Sequence, residues 1–335
     1  MKKLILLAAI PMVLCGCSLL ESFGVRSFNF WSKDDEDDDA DSGVIENKAY
    51  KNYKYIVPTG APAIAMAEFS NLGGFETTTD PSTIVPLLAN GQYDVAVLPT
   101  NVGVTAINAK KVPYKMLCTI TFGNLYVAST GKDTDGVMGA DDYIVSFQQN
   151  AVPDKLFHYV YGNELDSALH YVSSAADAAK CLKTGKNATD DSKDVDYVLL
   201  AEPALTKVLE TTSTASIYAD IQQLYKSKSN NLLLTQASVF VKNTLDSKNV
   251  KESFYPLISS SINQLINNPD DIATKMAKVD QPQVTFGVEP EYAVKTAKNG
   301  NKMGLGCKLA SEIKDDINEF LTIFGVSPIT DENIA

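Results

Sequence analysis

The sequence predicts an α/β fold in two lobes, each built on a mostly parallel sheet flanked by helices. Three observations lead there. From about residue 51 onward, short apolar runs alternate with amphipathic stretches of helical length, the pattern of strand–helix units around a parallel sheet. The junctions carry turn and helix-start residues, with Pro or Thr where a strand hands over to a helix. The units come in two sets, followed by a return strand and closing helices, so the chain must cross between lobes twice.

Ahead of the fold, Lys2 and Lys3 lead into an apolar run over residues 4–14. It is too short to span a bilayer and reads as a signal-peptide core, making residues 1–16 a secretion signal. Residues 17–50 lack periodicity, and Asp34, Asp35, Glu36, Asp37, Asp38, Asp39 and Asp41 form a run of like charge that repels itself. This segment is expected to be a flexible acidic tether. It lacks the interleaved glycine and closing glutamate of a calcium loop.

Residues 53–57 are expected as the first strand, followed by the turn 58–61 and a helix opened by Pro62, where a missing N–H costs nothing. Asp80-Pro81 starts a second helix that stops at Asn90-Gly91. Residues 93–98 form the next strand, and Pro99-Thr100-Asn101 turns it into a helix reaching about Lys110. Residues 114–119 and 125–129 complete the first set of strands. The second set begins with a strand at 143–147 and a helix from Pro153 to about Tyr161, with His170 in a later strand. A helix at 175–184 and a buried strand at 197–200 follow, and Glu202-Pro203 opens the helix after that. Residues 232–241 are the return strand, and the remainder is expected to be almost wholly helical, over 245–267, 269–279 and 308–324. The lobes are then 51–128 with 235–335, and 129–234, hinged near 129–132 and 230–235.

The chain has 335 residues, 45% of them hydrophobic, enough to bury a core in each of two lobes. Its formal net charge of −12 argues against nucleic acid or an anionic lipid surface as ligand. Arg26 is the only arginine, so the folded body lacks the bidentate fork usually used to grip sulfonate or carboxylate. Beyond the signal and Cys17, only Cys118, Cys181 and Cys307 remain, which form no even disulfide framework. They read as buried small hydrophobes, with a single disulfide as the other option. His158 and His170 are the only histidines, and no set of His, Cys and carboxylate has metal-ligand spacing, so neither a metal site nor a cofactor is expected.

Leu14-Cys15-Gly16-Cys17 resembles the bacterial lipobox, in which the signal is cut before a cysteine that carries a diacylglyceryl group. The resemblance implies that Cys17 is the first mature residue and holds the protein at the outer face of a membrane. Three further segments, PTGAPAIAMA at 58–67, LLANGQYDVAVLPTN at 87–101 and VDYVLLAEPA at 195–204, together resemble the extracytoplasmic solute-binding proteins of ATP-driven (ABC) importers. The nearest class serves nitrate, sulfonates, taurine, riboflavin and thiamine-precursor pyrimidines, and is related in fold to the eukaryotic pyrimidine synthase. The resemblance covers nearly all of residues 51–335. It implies a type II periplasmic-binding-protein fold, a monomer, a small-molecule solute held between the lobes, a membrane permease as partner, and no catalysis.

Open parallel sheets bind ligands beyond the carboxyl ends of their strands, where helix N-termini offer free N–H groups. Thr59, Gly60, Ala61, Thr100, Asn101, Gln149, Asn150, Ala151 and Glu202 occupy such strand-to-helix turns, two in each lobe. Thr121 and Asn124, around Gly123, are candidates between two strands of the first set. Thr59 and Asn101 also suit plain helix caps, and Glu202 suits a helix start through the dipole alone. With no arginine present, Glu202, Asn101 and Asn150 point to a neutral or amino-bearing heterocycle. An enzyme on the pyrimidine-synthase-like fold and a non-transport surface receptor or adhesin are the alternative functions. Against the enzyme stand export and the absence of a Gly-rich phosphate loop or nucleophile elbow.

Overall fold

The computed structural model describes residues 48–133 and 135–335. The expected signal, Cys17 and the acidic run lie outside them. The end of the expected tether is part of the body. Ala49–Asn52 form a 3₁₀ turn, the Tyr50 ring meets Phe69 edge-on at 6.2 Å, and the Tyr50 carbonyl accepts from the Tyr55 hydroxyl at 2.7 Å.

Among the described residues the strands are β1 (Tyr55–Pro58), β2 (Phe75–Thr78), β3 (Val95–Pro99), β4 (Tyr114–Thr121), β5 (Leu125–Ser129), β6 (Ile144–Phe147), β7 (Leu169–Val172), β8 (Tyr197–Ala201), β9 (Ser216–Asp220), β10 (Ala237–Lys242) and β11 (Leu305–Leu309). The α-helices are α1 (Ala61–Ala65), α2 (Ile84–Ala89), α3 (Thr100–Asn108), α4 (Val152–Tyr161), α5 (Ala175–Thr184), α6 (Ala204–Leu209), α7 (Ile221–Lys228), α8 (Ser247–Asn249), α9 (Tyr255–Asn267), α10 (Asp270–Met276), α11 (Pro282–Thr285), α12 (Pro290–Lys298) and α13 (Lys314–Thr322).

Two sheets result, with orders β11-β4-β10-β3-β1-β2 and β7-β6-β8-β5-β9. Each has a parallel heart, β2-β1-β3 in one and β7-β6-β8 in the other, extended by antiparallel strands where the chain returns. The parallel strands are legible in the sequence because both their faces are covered. All four residues of β1 and of β6 are buried, and all of them but Ser146 are apolar or aromatic. Edge strands β2 and β9 carry half-exposed, polar residues and show no such run.

Three sequence expectations change. Leu125–Ser129, expected to complete the first set, pairs with β8 and β9 in the second sheet. The first crossing therefore lies at residues 122–124, not 129–132. Apolar content reports burial and not the sheet in which a strand is buried, and the break falls at Gly123, whose φ of +99° suits glycine. The closing region is not wholly helical, because β11 interrupts it and pairs antiparallel with β4.

One face of the first sheet packs under α1, α9, α10 and α12 around Phe69, Phe254, Ile258 and Phe286. Its other face packs against α2, α3 and α13 around Leu88, Ile107, Phe240 and Ile317. The second sheet has its own core around Phe157, Leu199 and Tyr225. Helix α13 serves both lobes, since Ile317 and Leu321 join the first-lobe core and Phe320 joins the second.

Helix α3 lies so close to β10 that a Cβ on Gly103 would sit 2.1 Å from Cζ of the buried Phe240 ring. Gly103→Ala should therefore destabilise the protein by about 1–3 kcal/mol through overpacking, despite the better helix propensity of alanine. Urea unfolding checks this, and an unchanged or raised midpoint would contradict the close contact.

Candidate functional site

A cavity of about 320 Å³ lies between the sheets, walled by the strand-to-helix turns of both. From the first lobe come Pro58 to Pro62 at the β1–α1 turn, Thr79 and Pro81 after β2, Pro99 after β3, and Gly287. The second lobe contributes Phe147, Gln148, Val152 and Pro153 at the β6–α4 turn, Ser174 and Ala175 after β7, and Ala201 to Ala204 at the β8–α6 turn. Asn124, Leu125, Gln236 and Ala237 form the floor, at the two crossings. The chain topology makes this inevitable: the carboxyl ends of parallel strands point one way, and both lobes turn theirs to the same cleft.

The floor is a bonded amide lattice. Gln236 donates from Nε2 to Asn124 Oδ1 at 2.8 Å and accepts from the Asn124 N–H at 3.2 Å, which ties one crossing to the other. Asn124 Nδ2 donates to the Glu202 carbonyl at 2.8 Å, and the Glu202 N–H donates to the Asn124 carbonyl at 2.8 Å. Gln222 Oε1 accepts from the Leu125 N–H at 2.7 Å.

Glu202 is 2% exposed. Its carboxylate accepts from the Thr206 N–H at 2.8 Å and from the Thr206 hydroxyl at 2.9 Å, so it holds the first turn of α6. Burial raises its pKa above the ordinary 4.5, opposed by the Thr206 hydrogen bonds and the Lys302 charge. It is the single ionisable residue among those lining the cavity, and the other lining residues are neutral, prolines prominent among them. Helices α4 and α5 direct their N-termini at the same space, with Ser174 capping α5 by accepting from the Asp177 N–H at 3.1 Å.

Of the residues singled out in the sequence, Thr59, Gly60, Ala61, Asn124 and Glu202 line the cavity. Thr100 and Thr121 lie beneath it. The Thr100 hydroxyl pairs with Ser238 Oγ at 2.7 Å, and the Thr121 carbonyl accepts from the Gln236 N–H at 3.1 Å. Asn101 Oδ1 is buried away from the lining and has no hydrogen-bond partner. Gln149 and Asn150 line a separate hollow with Asp154, His158, Asp166 and Tyr171. Ala151 caps α4 between that hollow and the cleft. His158 bonds to Asp154 and Asp166, whereas His170 stacks on Tyr143 with ring centroids 3.8 Å apart, so the two histidines serve different surroundings.

Sequence reasoning passed over Gln148, Ser174, Gln236, Thr79 and Gly287, and put Phe147 in the core. Ser174 was findable, as a Ser-x-x-Asp cap immediately before a recognised helix. Gln236 opens the return strand, and nothing local marks it or Gly287.

The lobes are also joined by ion pairs between α6 and α12. Lys207 of the second lobe meets Glu289 of the first at 2.8 Å, and Lys295 of the first meets Glu210 of the second at 2.6 Å. Both ammonium groups lie near the Tyr292 ring, 5.8 and 5.9 Å from its centroid. Among the described residues no group of His, Cys, Asp and Glu could hold a metal ion, and no helix is long and apolar enough to cross a membrane.

No protein-family model and no curated protein matches the chain. Solved structures do. A protein described as an ABC transporter from Parabacteroides distasonis is 19% identical, with a TM-score of 0.66 over 84% of this chain and 98% of its own. The periplasmic aliphatic sulphonate binding protein of Escherichia coli is 10% identical, with a TM-score of 0.57 over 84% and 91%. The ligand-binding component of an ABC-type import system from Staphylococcus aureus, with zinc bound, is 10% identical, with a TM-score of 0.53 over 84% and 95%. Strand order, inter-lobe cleft and these likenesses agree: the chain has the two-lobed periplasmic-binding-protein fold on which solute-binding components of ABC importers are built.

Proposed function

We propose that the protein is a monomeric, extracytoplasmic solute receptor, anchored to the membrane through lipidated Cys17, that captures a small organic molecule between its lobes and delivers it to an ABC permease. The cavity walled by six strand-to-helix turns, three from each lobe, carries this reading. At about 320 Å³ it falls in the range of small-ligand sites. Closing the lobes around a solute brings α6 against α12, so the Lys207–Glu289 and Lys295–Glu210 pairs belong to the closed form. A permease can then distinguish loaded from empty protein by the relative position of the lobes.

Within that function, the lining favours a neutral or amino-bearing heterocycle. No Lys, Arg or His reaches the cavity wall, Phe147 and the prolines offer flat apolar surface, and Glu202 is the one charged group. Each Glu202 oxygen retains a lone pair beyond its bond to Thr206, open to an amino or hydroxyl donor. A sulfonate at this wall would have only helix N-termini to neutralise it.

The refolded, ligand-free protein should be warmed with vitamins, pyrimidines, sulfonates, nitrate and carboxylates in turn. A specific solute at a hundred times its Kd should stabilise by about 2.7 kcal/mol and raise Tm by several degrees. A response to anions alone would overturn the heterocycle, and no response to any class would count against the receptor.

Glu202→Gln should weaken an amino-bearing solute by about tenfold or more, read by calorimetry. The same variant tests burial. Because the folded pKa lies above the unfolded 4.5, the Glu202 contribution to stability is fully present below about pH 4.5 and is lost as pH rises through the raised value. Glu202→Gln should therefore gain stability relative to wild type at pH 7, with the gain fading towards pH 4. A constant difference across that range would refute the shift.

Lys207→Glu should weaken solute binding by about three- to tenfold, and Lys207→Glu combined with Glu289→Lys should recover most of it. Failure of the double variant to recover would remove these pairs from closure.

A further inference from the structure

The β6–α4 turn borders two cavities. Gln148, Val152 and Pro153 line the cleft, while Gln149 and Asn150 line the neighbouring hollow of about 440 Å³. The backbone of this turn is strained: Gln148 and Asn150 have φ of +56° and +65°, the left-handed region that residues other than glycine occupy infrequently. Such a conformation persists where its surroundings hold it. The residue that holds this one is Asp154, 3% exposed on the first turn of α4. Its Oδ2 accepts from the Asn150 N–H at 2.7 Å, and its Oδ1 accepts from the Tyr171 hydroxyl at 2.6 Å.

His158, one turn further along α4, backs this carboxylate. Its Nδ1 lies 2.8 Å from the Asp154 carbonyl and 3.0 Å from Asp154 Oδ1, and its Nε2 lies 3.0 Å from Asp166 Oδ1. Both ring nitrogens therefore face oxygens that can only accept. A neutral imidazole has one N–H and serves one of these sides, whereas the imidazolium has two and serves both. The other polar groups on the lining are Lys155 of α4, Tyr171 of β7 and the neutral Gln149, Asn150 and Asn163. With Asp154 and Asp166 set against Lys155, the hollow is one positive charge short, and a proton on His158 supplies it.

We propose that Asp154 is a positioning residue for the solute cleft and that His158 operates it as an imidazolium. The protonated ring, bonded to Asp154 and Asp166 at once, holds the Asp154 carboxylate on the Asn150 N–H. It thereby fixes the turn that carries Gln148, Val152 and Pro153 into the cleft wall. Loss of the proton leaves a nitrogen lone pair against an oxygen, releases one of the two carboxylates, and lets the turn open more often. A carboxylate that merely closed the start of α4 onto the preceding N–H would hold the turn equally at every pH in this range. The role in solute capture rests on the receptor reading; the brace itself does not, and it is tested without solute.

The test is hydrogen exchange of the full, solute-free chain, read amide by amide by NMR between about pH 5 and pH 8, the interval in which imidazole side chains change charge. Each rate is divided by the intrinsic rate at the same pH. Protection of the Asn150 amide should fall by about tenfold across the interval, as expected for the loss of one charge-assisted hydrogen bond behind it. The amides of β8, in the core of the same lobe, should keep theirs. His158→Gln, whose amide donates to one side only, should show the low protection at every pH. Asp166→Asn, whose amide can donate to Nε2 or accept from it, should flatten the profile. The His158 and Asp166 side chains are 26% and 54% exposed, so both variants should fold. Constant Asn150 protection in the wild type would overturn the proposal. So would an equal fall in His158→Gln, or a fall shared equally by β8.

Discussion

The two lobes share a floor made of side-chain amides, and the cavity depends on it. Asn124 and Gln236 sit on the two strands of chain that pass between the sheets, and they bond to each other through both side chain and backbone. Asn124 also exchanges two hydrogen bonds with the backbone of Glu202. Buried amides of this kind must be fully partnered, because each unpaired group costs about 1–3 kcal/mol. The crossings are thereby held in one mutual arrangement, and the turns that wall the cavity inherit their positions from it.

Glu202 links this floor to the chemistry above it. Its main chain belongs to the lattice and its carboxylate to the first turn of α6, so the same residue sets the height of the cavity wall and supplies its only charge. A carboxylate taken out of water needs partners, and Thr206 provides two. The price of that burial is a raised pKa.

The ion pairs between the lobes work by a different physics from the floor. Lys207, Glu289, Lys295 and Glu210 are partly exposed, and such pairs contribute little each. Helix α13 adds a second tie away from the cleft, with Phe320 in one core and Ile317 in the other.

Much of the fold was legible in the sequence because burial on both faces favours continuous apolar runs, as in β1, β3 and β8, and because caps such as Ser174 and stops such as Gly185 punctuate helices locally. Thr59, Gly60, Ala61 and Glu202 were legible as cavity residues because strand-to-helix turns of a parallel sheet open on one side. Which sheet receives Leu125–Ser129 was not, since an apolar run carries no address and only its pairing with β8 and β9 decides it. Nor could the sequence separate Gln148, on the cleft, from Gln149 and Asn150, in the neighbouring hollow, because a single residue of turn geometry divides them. By itself the sequence determined the two-lobed α/β class and the absence of arginine from the folded body. The tertiary structure decided the crossing at Gly123, the packing of Cys118 and Cys307 into one core and the ion pairs between the lobes. All of these join residues far apart along the chain, and that is where local propensity ceases to carry information.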